Sequence, residues 1–166
     1  MFDSVFKIRI VKQNGASIMT DYEMELQAID KVTDKLYSCI CFKEGTKPNL
    51  DKLKTLFIPD GKLINNNDKN PVIVSVDQFV KAVNQELSSG TLKSFYEAEI
   101  SNRTEVFGKI AHRFSTYEAK FDLNASEPFC LGINSIQFIK INHSWLVSSM
   151  VWNDQIEDRK IPEKYL

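Results

Sequence analysis

The chain has 166 residues, of which 43% are hydrophobic and 26% charged, and its formal net charge is −1. This length and balance are typical of one soluble globular domain, and the near-zero charge argues against a broad electrostatic surface for nucleic acid. No apolar run approaches the roughly 20 residues that a membrane-spanning helix needs. The first 19 residues lack the continuous apolar stretch of a signal peptide, so we expect a cytoplasmic protein.

The cysteines and histidines show no spacing that holds a disulfide or a metal ion. Cys39 and Cys41 are two residues apart in a predicted helix, so they point to different sides of it, and Cys130 is remote in the sequence. His112 and His143 add no metal-ligand spacing. We therefore expect no metal site. Because no Gly-rich phosphate loop or other cofactor motif is visible, any chemistry is expected to be free of cofactors.

The N-terminus is predicted to be separate from the domain that follows it. Val5 to Val11 alternates apolar and polar residues like a short strand. Thr20 can then cap a helix, because Glu23 follows three residues later and completes a capping box. We interpret residues 1–20 as an N-terminal extension and residues 21–166 as one domain.

Three helices are predicted from the spacing of apolar residues. The first spans Tyr22 to Phe42, where Leu26 and Ile29 begin a stripe that continues at helical intervals. A second, short helix begins at Asn49. A third spans Val76 to Leu87 and has Ser75 as its cap.

After the third helix the pattern changes from helical to alternating, which is typical of strands. A run of adjacent strands after the helices predicts an α+β fold, in which the helices pack on one face of a curved antiparallel sheet that forms a half-cone. A short strand is also expected over residues 62–64, after the turn signal at residues 59–61. The later strands are predicted over residues 94–102, 108–121, 130–141 and 145–152.

The last hairpin decides which side chains line the hollow of this half-cone. With residues 142–144 as a three-residue loop, Ile139 faces Val147 and Gln137 faces Ser149. We assign Gln137 and Ser149 to the hollow, although a one-residue error in the loop would change the pairing. The opposite face is also apolar and is expected to meet a second subunit. Its predicted contacts are Phe138, Met150 and Trp152.

The long strand before this hairpin offers a charged candidate for the hollow. Arg113, Ser115 and Tyr117 alternate along one face of it. A buried guanidinium needs a carboxylate, because leaving it unpaired is very costly. Glu97 or Glu99 on the preceding strand could supply that carboxylate. The alternative is that Arg113 and both glutamates are solvated surface charges.

These features resemble the nuclear transport factor 2-like superfamily, which includes ketosteroid isomerase, scytalone dehydratase and polyketide cyclases. The resemblance implies a cone-shaped α+β barrel and often a homodimer that forms through the sheet. The last six residues, Ile-Pro-Glu-Lys-Tyr-Leu, are also similar to those of uncharacterised bacterial members. The resemblance rests on the order of helices and strands and on residues 107–111, 115–118, 132–137 and 145–152.

The resemblance assigns no catalytic residue. Chemistry like that of ketosteroid isomerase requires a carboxylate base and a Tyr–Asp pair in an apolar pocket. Asp60 is near the corresponding region, but it belongs to a Pro-Asp-Gly turn that explains it fully, and Tyr37 could be a pocket hydroxyl or a core aromatic residue. A dehydratase would need a His–Asp pair, and His112 has no identifiable Asp partner.

Three functions remain open on this evidence. The first is a small-molecule-binding domain whose apolar or partly polar ligand lies between the helices and the sheet. The second is a cofactor-free isomerase or lyase that uses general acid–base chemistry, and the third is a dimeric protein-interaction module with a filled pocket. An open cavity would separate the first two from the third, and a pocket carboxylate with a displaced pKa would favour an enzyme. The candidate pocket residues are Tyr37, Glu97, Arg113, Ser115, Tyr117, Gln137 and Ser149.

Overall fold

The computed structural model describes residues 19–166, so the strand and the extension predicted within residues 1–18 lie outside the described residues. Within this range no helix has the length and hydropathy needed to cross a bilayer. All three predicted helices are confirmed. They are α1 (Asp21–Ile40), α2 (Leu50–Lys54) and α3 (Val76–Ser89), and a short 3-10 helix (Glu163–Tyr165) follows near the end of the chain.

Local capping explains where the two long helices begin. Thr20 accepts a hydrogen bond from the Glu23 backbone N–H at 3.2 Å, and the Glu23 carboxylate accepts one from the Thr20 N–H at 2.7 Å. Ser75 and Gln78 form the same reciprocal pair at the start of α3. Each box satisfies donors that the first turn of a helix leaves unpaired, so the short sequence signals alone fix these starts.

Six strands form one curved sheet, which confirms the α+β half-barrel. Their order is β2-β1-β6-β5-β4-β3, and every neighbouring pair is antiparallel except β1 and β6, which are parallel. The sheet is therefore mixed rather than wholly antiparallel, because β1 enters it along the free edge of β6 in the same direction. The strands are β1 (Phe57–Asn65), β2 (Val72–Ser75), β3 (Tyr96–Phe107), β4 (Ile110–Lys120), β5 (Cys130–Ile141) and β6 (Ser144–Asp154).

The core lies between the helices and the concave face of this sheet. Ile29 of α1 is fully buried, and so are Ile136 of β5 and Val147 of β6. Phe138 is only 1% exposed and belongs to the same cluster. Truncating such a side chain to alanine typically costs about 3–5 kcal/mol, so this cluster anchors the helices to the sheet.

The final hairpin differs from its prediction in two compensating ways. Its loop has two residues, Asn142 and His143, both in the left-handed region with φ of 48° and 66°, which suits a type I′ turn. Ser148 then has no partner in β5, because Phe138 pairs with Val147 while Gln137 pairs with Ser149. This β-bulge restores the predicted pairing beyond it.

The bulge also changes which side chains face inward. Phe138 shares the concave face with Val147, whereas Gln137 and Ser149 share the convex face. The assignment of Phe138, Met150 and Trp152 to an outer contact face was therefore wrong. These three side chains share one face, as predicted, but it is the concave face: a three-residue loop without a bulge groups the core residues Trp145 and Val147 with Gln137 instead of with Phe138. These three side chains lie in or against the core.

The end of the chain covers part of the convex face. Thr116 donates a hydrogen bond from its hydroxyl to the Tyr165 carbonyl at 2.6 Å, and the Phe114 and Tyr165 rings lie 5.0 Å apart. The backbone N–H of Gln155 donates to the Leu131 carbonyl at 2.7 Å, which ties the start of this segment to β5. One end of the convex face is thus occupied by the chain itself.

Candidate ligand-binding site

A cavity of about 310 Å³ opens between the helices and the concave face of the sheet. A narrower extension of about 30 Å³ continues it towards the buried end of α1. Three polar side chains, Glu97, Tyr117 and Asn134, reach the cavity from β3, β4 and β5. The rest of its wall is apolar, and characteristic members are Ile40, Phe42, Phe79, Val83, Met150 and Trp152.

Aromatic side chains surround one part of the cavity. The Phe121 and Phe129 rings are stacked, with centroids 4.1 Å apart and planes inclined by 4°, and both side chains are more than half exposed. Phe95 packs against Phe129 at a centroid distance of 6.4 Å. Exposed aromatic surface of this kind is typical of sites that bind an apolar ligand or an apolar partner surface.

Phe95 also connects this region to the end of α1. Its backbone exchanges two hydrogen bonds with Phe42, at 2.8 and 3.0 Å, although the predicted helix over residues 22–42 ends earlier, at Ile40. Cys41 lies between these elements, past the end of α1, and its sulfur is 3.3 Å from both the backbone N and O of Glu97. This connection fixes the start of β3 and therefore the position of Glu97.

Glu97 is the cavity side chain whose displaced pKa falls near neutral pH. Burial raises the pKa of Glu97 to about 7; a hydrogen bond from Asn134 opposes this rise, and the nearby charge of Asp154 adds to it. The Asn134 amide nitrogen lies 3.3 Å from the Glu97 Oε1 atom. A carboxyl group with this pKa exchanges protons near neutral pH, which an ordinary surface glutamate does not.

A chain of hydrogen bonds runs from Glu97 into the protein. The Asn134 amide nitrogen also donates to the Tyr37 hydroxyl at 3.1 Å, and Tyr37 lies 2.6 Å from the Ser115 hydroxyl oxygen. Ser115 donates to the Glu99 carboxylate. Burial raises the pKa of Tyr37 further, so its proton is retained and takes part in this chain.

Arg113 ends the chain and is paired rather than solvated. Its guanidinium donates to both oxygens of Glu99, including Nε to Oε2 at 2.8 Å, and to Asp30 Oδ1 at 2.7 Å. The Thr104 hydroxyl oxygen accepts a fourth hydrogen bond from the guanidinium at 2.9 Å. Arg113 is only 3% exposed and does not line the cavity. Its partner is Glu99, one of the two glutamates considered from the sequence, together with Asp30, which was not.

Tyr117 is held on the other side of the cavity by Asp154. The Tyr117 hydroxyl donates to Asp154 Oδ1, and the Asn67 amide donates to Asp154 Oδ2 at 2.8 Å. Burial and this hydrogen bond raise the pKa of Tyr117. The ring lies so close to the backbone of Gly132 that a Cβ atom there would overlap it. Glycine at position 132 is therefore what permits Tyr117 to lie across β5.

We refer to these connected side chains as the polar interior. Three of the predicted site residues in it, Tyr37, Glu97 and Tyr117, line the cavity or its narrow extension. Two more, Arg113 and Ser115, lie behind them. The polar interior also contains Glu99, which was considered from the sequence as a partner of Arg113, and three residues that the sequence did not single out. The set is Asp30, Tyr37, Glu97, Glu99, Arg113, Ser115, Tyr117, Asn134 and Asp154.

Gln137 and Ser149 do not reach the cavity. They pair with each other on the convex face, where Gln137 is exposed. Asn134 takes the place expected for Gln137 as the amide of the site. A signal for Asn134 was present, because it alternates with Ile136 and Phe138, but that face was assigned to the outside. His112 also lies on the convex face, 3.0 Å from the Ser135 hydroxyl.

No protein-family model matches the chain, and no curated protein matches it in sequence. Solved structures do match it. An NTF2-like protein of unknown function from Shewanella baltica is 14% identical, with a TM-score of 0.56 over 84% of this chain and 100% of that chain. A protein with a cystatin-like fold from Nostoc punctiforme is 10% identical, with a TM-score of 0.63 over 81% and 93%.

A candidate scytalone dehydratase from Novosphingobium aromaticivorans is also similar, at 14% identity and a TM-score of 0.57 over 85% of this chain and 91% of that chain. At these identities the likeness shows the fold. The chain is a protein with the nuclear transport factor 2-like fold, as its resemblance to that superfamily predicted.

Proposed function

We propose that the chain binds a small, largely apolar organic molecule in the cavity between its helices and its sheet. The observation that carries this proposal is an open volume of about 310 Å³ with apolar walls and three polar side chains, Glu97, Tyr117 and Asn134. Pockets for small ligands combine these features, because apolar walls supply affinity and a few polar groups fix orientation. An interaction module with a filled pocket would not leave this volume open.

Native mass spectrometry tests the proposal. Freshly purified protein is measured under gentle and then denaturing conditions, and a co-purified molecule is expected as excess mass that is lost on denaturation. Val83→Trp fills the cavity from α3 and is expected to abolish this mass, whereas Ala82→Trp on the exposed side of the same helix is not. Absence of bound mass, together with no binding of apolar probes, would contradict the proposal.

A cofactor-free isomerase or lyase is the second candidate, and Glu97 favours it. General acid–base catalysis is most efficient when the pKa of the catalytic group is near the working pH, and burial raises the pKa of Glu97 to about 7. The similar fold of a candidate scytalone dehydratase is compatible with such chemistry, although one fold supports many functions.

Proton exchange separates catalysis from binding alone. The co-purified molecule is incubated with the protein in D₂O, and a base in the cavity is expected to exchange acidic C–H hydrogens of the ligand. Glu97→Gln should stop this exchange, while Glu105→Gln, on an exposed position of the same strand, should not. If the molecule binds but gains no deuterium, the result would support a binding function and contradict the proposed isomerase or lyase activity.

We also propose that the protein forms a homodimer through the uncovered end of the convex face. Ile110, Ile139 and Leu146 are direct neighbours across β4, β5 and β6 there, and Ile110 is 58% exposed. A row of apolar side chains on an open sheet face favours association with another surface. The C-terminal segment covers only the other end, next to Phe114 and Thr116.

A further inference from the structure

The hydrogen-bonding groups of the cavity are mostly acceptors. The Asn134 amide nitrogen already donates to Tyr37 at 3.1 Å and to Glu97 at 3.3 Å. The Tyr117 hydroxyl already donates its hydrogen to Asp154. An amide nitrogen has two hydrogens and a phenol has one, so neither group retains a hydrogen for a ligand. What these residues and an ionised Glu97 can offer is lone pairs.

One donor remains in the lining that the structure describes. Trp152 lines the cavity, and its indole N–H donates to no side chain or backbone group of residues 19–166. Indole is a donor only, so Trp152 can meet at most one acceptor on a ligand. Its ring and the Phe42, Phe79 and Phe95 rings also present aromatic surface, which attracts cations as well as apolar groups.

The polar interior also contains more acidic than basic side chains. Among residues 19–166 it contains four carboxylates for one cation, Arg113, and that cation is already paired with Glu99 and Asp30. The described cavity lining includes no Lys, Arg or His. Arg159 approaches Asp154 only from the exposed convex side, where it donates to the backbone carbonyl at 2.9 Å. Two carboxylates, Glu97 and Asp154, thus lack a cationic partner in this interior.

We infer that the cavity takes a molecule with a flat apolar body and one protonated amine, whose ammonium group pairs with Glu97 and donates to Asn134 and Tyr117. This inference rests on the proposed function, because it names the class of ligand for the same cavity. An ammonium group supplies hydrogens where the cavity offers lone pairs, and it supplies positive charge next to Glu97, a carboxylate that has no cationic partner within the described polar interior. A carboxylate ligand would meet repulsion and would leave acceptors unpaired.

Binding of such an amine depends on the ionisation of Glu97. The other titratable groups near Glu97 are Tyr37 from α1, Cys41 after α1, Tyr117 from β4, Cys130 from β5 and Asp154 from β6. Burial raises the pKa of both tyrosines and of Cys41, and raises the pKa of Cys130 to about 12. These two tyrosines and two cysteines therefore stay neutral near pH 7, whereas Glu97 changes its charge there. The amine should bind less tightly as the pH falls below 7, because a smaller fraction of Glu97 is ionised.

Three probes with the same aromatic body test the inference: 2-naphthylmethylamine, 2-naphthylmethanol and 2-naphthoate. Isothermal titration calorimetry at pH 8 is expected to give at least tenfold tighter binding for the amine than for the alcohol, and the weakest binding for the carboxylate. Between pH 8 and pH 6 the amine affinity should fall about tenfold, since the ionised fraction of Glu97 falls by about that factor. The alcohol affinity should change less than twofold.

Glu97→Gln is expected to remove the preference for the amine while keeping the affinity for the alcohol, and Glu105→Gln should leave both unchanged. If the alcohol binds as tightly as the amine at pH 8, or if the amine affinity does not fall with pH, the inference is overturned and the cavity remains a binding site. If none of the three probes binds, the proposed function itself fails. The wild-type pH series decides the matter even if the Glu97 variant does not fold.

Discussion

The hydroxyl groups of Tyr37 and Ser115 lie 2.6 Å apart and join the last turn of α1 to the concave face of β4. This contact is the step at which the charged cluster around Arg113 meets the cavity, because Tyr37 accepts from Asn134 and Ser115 donates to Glu99. A buried hydrogen bond of this kind contributes to stability and also orients its neighbours.

Tyr37→Phe removes this contact and is expected to destabilise the fold by about 1–2 kcal/mol, because Asn134 and Ser115 each lose a buried partner. The free energy of unfolding, measured in urea, gives the magnitude. Tyr96→Phe is the control, since the Tyr96 hydroxyl forms no hydrogen bond with the described part of the chain. Equal stability of the two variants would contradict a structural role for the contact.

Glu97 makes the stability of the protein depend on pH. Its pKa is raised in the folded state to about 7 from an ordinary value of 4.5, so the folded state binds a proton more tightly than the unfolded state. The stabilising contribution of this proton is complete below pH 4.5 and is lost as the pH rises through 7. The loss is about 3 kcal/mol for a shift of this size.

Urea unfolding of the wild type and of Glu97→Gln at pH 5, 6, 7 and 8 measures this effect. The variant should gain stability relative to the wild type as the pH rises through this range, with little further change above pH 8. Comparing two proteins at each pH cancels the titration of all other groups. Parallel curves for the two proteins would show that Glu97 has no raised pKa.

Arg113→Met leaves the Glu99 carboxylate buried without its cation, and we expect a loss of about 3–5 kcal/mol. The double variant Arg113→Met, Glu99→Leu removes both charges and should recover a large part of that loss. Asp30→Asn should cost less than about 1 kcal/mol, because the Asp30 side chain is half exposed and its ion pair is screened by water. Thermal and urea unfolding would show whether the three variants follow this order.

Gly132→Ala introduces a Cβ atom where the Tyr117 ring crosses β5. We expect a cost of about 1–3 kcal/mol, which is typical of overpacking, and a weaker affinity for cavity ligands because Tyr117 must move. Gly108→Ala is not a suitable control, since Gly108 has a positive φ of 58°. Ser101→Ala, on the neighbouring part of the sheet, serves as the control instead. A loss of the same size in that variant would contradict the role of the close approach between the Tyr117 ring and the Gly132 backbone.

The proposed dimer makes a prediction about the convex face. Ile139→Glu puts a charge in the middle of the row formed by Ile110, Ile139 and Leu146 and should convert a dimer into a monomer, as measured by light scattering after size exclusion. Gln137→Glu, one pair of residues further along the same face, is a milder change and the matched control. A wild-type protein that is monomeric at micromolar concentration would contradict the proposal.

The parts of the fold that depend on local signals could be predicted from the sequence. The capping boxes at Thr20 and Ser75 use neighbouring residues only, so the starts of α1 and α3 were predictable. The parallel pairing of β1 with β6 was not, because residues 57–65 and 144–154 are distant in the chain and nothing local specifies their direction. The strand β2 was also missed, since four residues are too few for a periodic pattern.

The candidate site was predicted in part for a similar reason. Alternation along β4 placed Arg113, Ser115 and Tyr117 on one face, and the structure has them there. Asn134 was missed because its face of β5 was assigned to the outside: without the bulge in β6, the core residues Trp145 and Val147 are grouped with Gln137 rather than with Asn134 and Phe138. The carboxylates of Asp30 and Asp154 come from other elements, so only the tertiary structure brings them to the site.

The bulge at Ser148 separates the tasks of the two halves of β6. On the turn side of it, Trp145 and Val147 support the core, and on the far side Met150 and Trp152 form a wall of the cavity. If this one residue were deleted, only one of these pairs could still point towards the helices. The chain would keep either the core contacts of Trp145 and Val147 or the cavity wall formed by Met150 and Trp152. Insertions or deletions of single residues in this strand are therefore far more harmful than most substitutions, and the length of β6 is as much a part of the site as its side chains.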